Sequence, residues 1–172
     1  MELFLLRHGE TDENVSRIIQ GWLDTELNEN GKAQSREAAE QFNETIDAIY
    51  SSDLRRATET ASEFQRKYPV VPYFEDERLR ERNFGDATGD HHDTLNWEVF
   101  WASSNTVSIP NAETLDEFNI RVQSFIRSLK ASGFSKVLVV THGGTINRFL
   151  DLTSANHQNI MHSNASITRV TI

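Results

Sequence analysis

The 172-residue chain contains no cysteine. That absence excludes disulfides, thiolate zinc sites and every mechanism built on a cysteine nucleophile, cysteine-dependent phosphatases included. Prolines are scarce, three in all, and neither a repeat nor a low-complexity tract interrupts the chain. Long apolar runs are missing too: Leu3–Leu6 and Val137–Val140 fall far short of the ~20 residues that span a bilayer. The N-terminus has no basic segment leading into an apolar one, so no signal peptide is expected and the location is expected to be cytoplasmic. Positive charge is in deficit, 17 Lys+Arg against 26 Asp+Glu, for a net charge of −9. A field of that sign argues against nucleic acid and anionic membrane as partners. A small phosphate ester remains open, because a local arginine cluster can oppose the global sign.

At ~100–200 residues per domain the length reads as one domain, residues 1–172. With 37% AVILMFWYC and 25% charged residues the composition is that of a folded soluble chain, which removes disorder and fibrous repeats. A domain of this size buries roughly 70% of its unfolded surface and needs no metal or disulfide staple.

Leu3–Leu6 is a short apolar run that stops at Arg-His-Gly, as a buried strand does on leaving its sheet. Asn28 is placed to cap a helix carrying Ala33, Ala38, Ala39 and Phe42 on helical spacing. Ile46–Tyr50 predicts a second strand, and Ser51-Ser52-Asp53 offers cap chemistry for a helix through Leu54, Ala57, Ala61 and Phe64. Pro69 ends that helix, and Val70–Phe74 predicts a third strand. From Thr114 to Leu129 the spacing of Leu115, Phe118, Val122, Phe125 and Leu129 gives an amphipathic helix closed by Gly133. Val137–Val140 predicts a strand leaving through Thr141-His142-Gly143-Gly144 into a helix with Ile146, Phe149 and Leu150, and Ser166–Thr171 an edge strand. Strands alternating with helices predict an α/β three-layer sandwich, a mostly parallel central sheet flanked by helices. One segment breaks the pattern. Residues 85–120 hold seven acids, adjacent His91-His92 and the aromatics Trp97, Phe100 and Trp101, with no Lys or Arg. It reads as an excursion from the sheet, partly helical around Leu95–Ala102, and as a candidate lid. His91 and His92 are poor joint metal ligands, since neighbouring side chains diverge.

Ligands of parallel sheets gather outside the carboxyl ends of the strands. Three polar clusters fall there: Arg7-His8-Gly9-Glu10-Thr11, Ser52 through Arg56, and Thr141-His142-Gly143-Gly144. Helix N-termini offer free N–H groups and arginine a forked donor for phosphate oxygens. Two histidines and two arginines at one sheet edge make a phosphate pocket without a metal. Taken singly, each cluster is equally explained by structure: His8 satisfied by backbone, Glu81 paired with Arg80 or Arg82, Arg55 a solvated neighbour.

The order of the clusters carries more. Arg7-His8-Gly9-Glu10-Thr11, with Asn14 and Gln20-Gly21-Trp22 beyond it, resembles the signature of the histidine phosphatase superfamily, the phosphoglycerate mutase-like family. Ser52-Asp53-Leu54-Arg55-Arg56-Ala57, Leu79-Arg80-Glu81-Arg82-Asn83-Phe84-Gly85 and Thr141-His142-Gly143 resemble its later motifs, and Pro110 through Val122 the approach to its penultimate long helix. The resemblance implies a phosphoglycerate mutase-like fold and a chemistry in which His8 attacks phosphorus and becomes a phosphohistidine. Arg7, Arg56 and His142 would surround the equatorial oxygens. Asn14, Gln20 and the backbone at Gly21 and Gly143 would bind substrate, and Glu81 would protonate the leaving alkoxide and then activate water. No metal is implied, and 2,3-bisphosphoglycerate enters as a cofactor only if the chain is a mutase.

The family's cofactor-dependent mutases hold a strongly anionic substrate with lysines and arginines after the third motif, where this chain has none. Hydrolysis of a small phosphomonoester with a neutral or apolar remainder is therefore expected, with phosphoglycerate mutase as the alternative and an inactive phosphate-binding module as a minor one. Ala87-Thr88 and Asn111-Ala112 depart from the family pattern beside the lid, which leaves the substrate open among sugar phosphates, nucleotides, a cobalamin-pathway ribazole phosphate and others. Nothing in the sequence sets the oligomeric state.

Overall fold

In the computed structural model, which describes residues 1–102, 109–153 and 161–172, five strands form one sheet. They are β1 (Glu2–Arg7), β2 (Ala48–Ser51), β3 (Tyr73–Glu75), β4 (Lys136–Thr141) and β5 (Ile167–Thr171), in the order β3-β2-β4-β1-β5. The first four run parallel, and β5 lies antiparallel against β1. The sandwich is thus of the expected class.

Alternation along the strands sorts the core into two layers. Phe4, Leu6, Leu138 and Val140 pack against Ala39, Ala57, Ala61 and Phe64, on and around α2 (Glu29–Gln41) and α3 (Arg55–Lys67). Leu3, Leu5, Val137 and Val139 point to the opposite face, against Phe118, Val122, Phe125 and Phe149 of α5 (Leu115–Ala131) and α6 (Gly143–Thr153). Being covered on both sides, β1 and β4 are apolar at every inner position, which is why they read as unbroken runs.

Topology then places the site. Arg7 of β1 is in register with Thr141 of β4. Chain leaving β1 goes on to α2 on one face, whereas chain leaving β4 enters α6 on the other. Two adjacent parallel strands whose exits diverge open a crevice at their carboxyl ends, and His8 and His142 are the first residues past those ends.

Three boundaries differ from expectation. Val70 and Val71 lie outside β3: the Val71 N–H donates to the Tyr68 carbonyl at 3.1 Å, closing a turn with Pro69 at its second position, where a fixed φ is favoured. Val70 is therefore 93% exposed. β2 begins at Ala48, and Asp47 just before it accepts the Ser135 and Lys136 N–H groups on its carboxylate at 2.7 and 2.9 Å. The cap of α3 is not side-chain chemistry from Ser51-Ser52-Asp53. Leu54 holds the cap position, and Asp24 accepts from the Arg55 N–H at 2.7 Å across the molecule. Asp53 has a stronger partner in the guanidinium of Arg80.

Residues 85–120 leave the sheet as expected and include α4 (Trp97–Ala102); the part of this expectation on 103–108 lies outside the described residues. The segment is tied to the loop after α1 (Asp12–Val15) by an Ile18–His91 bridge and the Arg17–Asp93 ion pair at 2.6 Å. Phe100 is its anchor, buried and stacked on Phe84 at 4.8 Å.

Candidate active site

A cleft of about 940 Å³ opens at the carboxyl end of the sheet. Arg7, His8, Arg56, Glu81 and His142 line it, with Asn14, Gln20, Gly21 and Gly143, so all nine sequence-predicted site residues share one cavity.

His8 is 4% exposed, and its Nδ1 lies 2.7 Å from the Gly9 carbonyl. A carbonyl accepts only, so the ring proton sits on Nδ1 and the Nε2 lone pair is free. The imidazole is held well below its ordinary pKa by burial first, then by the charges of Arg56 and Arg7. It is neutral, which nucleophilic attack requires. The Gly9 N–H donates to Thr60 Oγ1 at 3.0 Å, and Gly9 has no room for a side chain, since a Cβ would lie 2.5 Å from the Gly31 carbonyl oxygen.

The same cleft is lined by residues with buried polar nitrogens that have no acceptor among the described residues. Arg56 spends Nη1 on the Leu23 carbonyl at 2.7 Å and Nη2 on the Gly21 carbonyl at 2.8 Å, while its Nε is buried and unpartnered. Gly21 reaches this position with φ +47°, a region open to glycine. Arg7 bonds the His162 carbonyl through Nη1, and its Nε is likewise buried and unpartnered. His142 has Ser52 Oγ at 3.0 Å from Nε2 and nothing on its buried Nδ1. Burial, then the charges of Arg56 and other neighbours, lowers its pKa well below the ordinary value. Burial also pushes the Arg56 pKa down to about 10, against the supporting charge of Glu81. Unpaired buried N–H groups are costly, and a cleft that gathers them is built for an acceptor-rich anion.

Glu81 is held at three points. Its Oε1 accepts from the Arg82 N–H and its Oε2 from the Gly144 N–H, each at 2.9 Å. Its own carbonyl accepts from Trp22 Nε1 at 2.7 Å and Arg121 Nη2 at 3.1 Å. Pairing with Arg80 or Arg82 side chains is not what occurs: Arg80 goes to Asp53, and Arg82 to the Phe100 and Glu113 carbonyls. Asn14 Oδ1 accepts from the Thr11 N–H and from Asn164 Nδ2, each at 3.1 Å, leaving its amide NH2 as the remaining polar group. Gln20 Oε1 accepts from Thr25 Oγ1 at 2.6 Å.

Several residues were not found by sequence reasoning. Gly144 donates its N–H to Glu81 Oε2, and a Cβ there would lie 2.4 Å from Glu81 Oε1; the Gly-Gly pair after His142 was its only signal. Asn164 holds both the His8 carbonyl and Asn14 from far along the chain, with no local pattern to announce it. Arg17 and Arg148 also line the cleft. The aromatic stripe divides: Trp97 and Trp101 face the cavity while Phe100 packs beneath it. Among the described residues, no cluster of three or more His, Asp or Glu is arranged to hold a metal ion, and no helix is long and apolar enough to cross a membrane.

Residues 3–172 match the histidine phosphatase superfamily (branch 1), and the chain belongs to that family. It is 37% identical to the putative phosphoserine phosphatase 2 of Hydrogenobacter thermophilus, over 98% of this chain and 88% of that protein. A 2,3-bisphosphoglycerate-dependent phosphoglycerate mutase of Bartonella tribocorum is 29% identical over 84% of this chain and 77% of the other. A mycobacterial glucosyl-3-phosphoglycerate phosphatase in complex with VO3 superposes with a TM-score of 0.82 at 33% identity, covering 99% and 92% of the two chains. Members of the family act as phosphatases or mutases, and the structural neighbours are phosphoglycerate mutase-like.

Proposed function

We propose that the chain hydrolyses small phosphomonoesters without a metal, through a phosphohistidine on His8. The observation that carries this reading is a neutral imidazole whose free Nε2 shares a cleft with three buried, unpartnered N–H groups, on Arg7, Arg56 and His142. In the first step the Nε2 lone pair attacks phosphorus, the P–O bond to the alcohol breaks, and the leaving oxygen takes the proton of Glu81. In the second, Glu81 takes a proton from water, the water oxygen attacks phosphorus, and the P–N bond breaks to give inorganic phosphate and neutral His8. Charge on the equatorial oxygens is met by Arg7, Arg56 and His142, donors already fixed in place.

The mutase reading stays second, on one observation. Residues 85–120 bring no cation, but Arg17 and Arg148 line the cleft from other elements, so a neutral substrate body does not follow from the composition of that segment alone. Phosphorus NMR with 3-phosphoglycerate, a trace of 2,3-bisphosphoglycerate and a metal chelator separates the two. Inorganic phosphate accumulating without 2-phosphoglycerate is the expected result, and 2-phosphoglycerate forming faster than phosphate would make the chain a mutase. Aryl phosphate hydrolysis that survives His8→Ala, or that the chelator abolishes, would overturn the phosphohistidine mechanism itself.

A further inference from the structure

The phosphoryl chemistry uses two of the arginines that line the cleft, Arg7 and Arg56. Of the other two, Arg17 is committed: its guanidinium makes a two-pronged contact with Asp93 and the side chain is 56% exposed. Arg148 differs. Its side chain is 15% exposed, and among the described residues its one ion pair is a loose 3.4 Å contact with Asp151 of the same helix and its buried Nε has no partner. It stands close enough to fully buried Arg82 for its charge to disfavour protonation there, although burial is the larger cause of the depressed Arg82 pKa. A half-buried guanidinium set near a second one, with a single weak counter-ion, is short of negative charge.

Position says where that charge would come from. Arg148 is four residues beyond Gly144, so the two share one face of α6 about 6 Å apart along the axis. Arg148 lines the same cleft as Gly144 and Glu81, and its charge is felt at Arg82, the residue next to Glu81, which on the proposed mechanism protonates the leaving group. Substrate departing past Glu81 therefore runs along the wall that Arg148 helps to form.

Resting on the hydrolytic reading above, we propose that Arg148 is a specificity-determining residue that binds a carboxylate on the alcohol portion of the phosphomonoester. A planar carboxylate with one charge fits a single guanidinium fork. A second phosphate would bring about twice the charge into a cleft whose lining elsewhere includes Glu13 and Glu98.

The test is competition against p-nitrophenyl phosphate by a matched pair, 3-phosphoglycerate and sn-glycerol 3-phosphate, which differ by carboxylate against hydroxymethyl. The wild-type inhibition constants are expected to favour 3-phosphoglycerate by about tenfold or more, in line with a charge-assisted hydrogen bond. In Arg148→Met the ratio is expected to fall to within about threefold, with Arg148→Lys between the two. The ratio is the readout because a loosened fold weakens both inhibitors alike. Equal constants in the wild type, or a ratio that Arg148→Met leaves intact, would overturn the proposal. So would propane-1,3-diyl bisphosphate gaining as much from Arg148 as the carboxylate does, which would assign the arginine to a second phosphate. Failure of the wild type to hydrolyse the aryl phosphate at all would instead defeat the hydrolytic reading, and this inference with it.

Discussion

Ser52 Oγ lies 3.0 Å from Nε2 of His142, so the imidazole nitrogen left without a partner among the described residues is Nδ1. The hydroxyl accepts the Leu54 N–H at 3.3 Å and has its own proton to give to Nε2. A neutral ring that accepts at Nε2 must carry its proton on Nδ1, and Nδ1 is the buried nitrogen without a protein partner. Where the serine donates, the residue just past β2 holds the tautomer of the residue just past β4.

Removing that hydroxyl releases the tautomer. Ser52→Ala is expected to lower the rate of phosphoryl transfer to His8 about tenfold, the worth of one hydrogen bond of ~1.4 kcal/mol. Ser52→Thr, which keeps the donor, is expected to stay within about threefold of the wild type. Stopped-flow formation of nitrophenol in the first turnover measures this step, and an Ala variant as fast as Thr would remove Ser52 from the role.

Both active-site histidines have pKa values pushed well below the ordinary imidazole value, mainly by burial. Between that depressed pKa and ~6.5 the unfolded chain binds more protons than the folded one, so stability falls as pH drops below ~6.5 and ceases to fall below the folded-state pKa. The slope is about 1.4 kcal/mol per pH unit for each histidine in that window. Thermal melts from pH 7 to pH 5 are expected to show a steeper loss for the wild type than for His8→Asn. Identical slopes would mean that His8 is protonated in the folded state.

How legible all this was depends on how local the cause is. β1 and β4 were readable because burial on both faces makes every position apolar, and α5 because Phe118, Val122, Phe125 and Leu129 repeat along one helix face. The nine candidate site residues, proposed from motif order, line one cleft. Contacts made across the molecule left no local trace: Asp24 capping α3, Asn164 holding Asn14, and Arg148 reaching the cleft from α6. The charge argument from residues 85–120 counted only cations belonging to the segment itself, and Arg17 and Arg148 line the cleft from other elements.

Arg82 ties that segment to the acid. It is fully buried, donates to the Phe100 and Glu113 carbonyls at 2.8 and 2.9 Å, and lies 3.8 Å over the Phe100 ring. Arg82→Met keeps the stem and strands both carbonyls. Charge-assisted bonds of ~1.5–3 kcal/mol each are lost, offset by no longer burying a cation. A net cost of ~2 kcal/mol is expected, or a Tm lowered by roughly 4–8 °C in a chain of this size. Near-UV circular dichroism is expected to change with it, since Arg82 also lies 5.4 Å from the centre of the Trp101 ring. An unchanged melt would mean that Arg82 contributes nothing to holding the segment down.

Gly144 separates binding from proton transfer. An added Cβ would sit 2.4 Å from Glu81 Oε1 and 2.8 Å from Trp101 Cη2, both ends of side chains that can move. The fold should therefore tolerate Gly144→Ala, and α6 gains helix propensity of ~1 kcal/mol, while the carboxylate is displaced by about an ångström. A nitrophenolate leaves without a proton, so attack by His8 on p-nitrophenyl phosphate should survive, but hydrolysis of the phosphohistidine still needs Glu81. The expected record is one fast equivalent of nitrophenol followed by a steady state slowed by about 10²-fold, the usual penalty for misplacing a catalytic group by that distance. Loss of the burst and the steady state together would place Gly144 in the phosphate site rather than behind the acid. Normal turnover after the burst would show that Glu81 does not activate water.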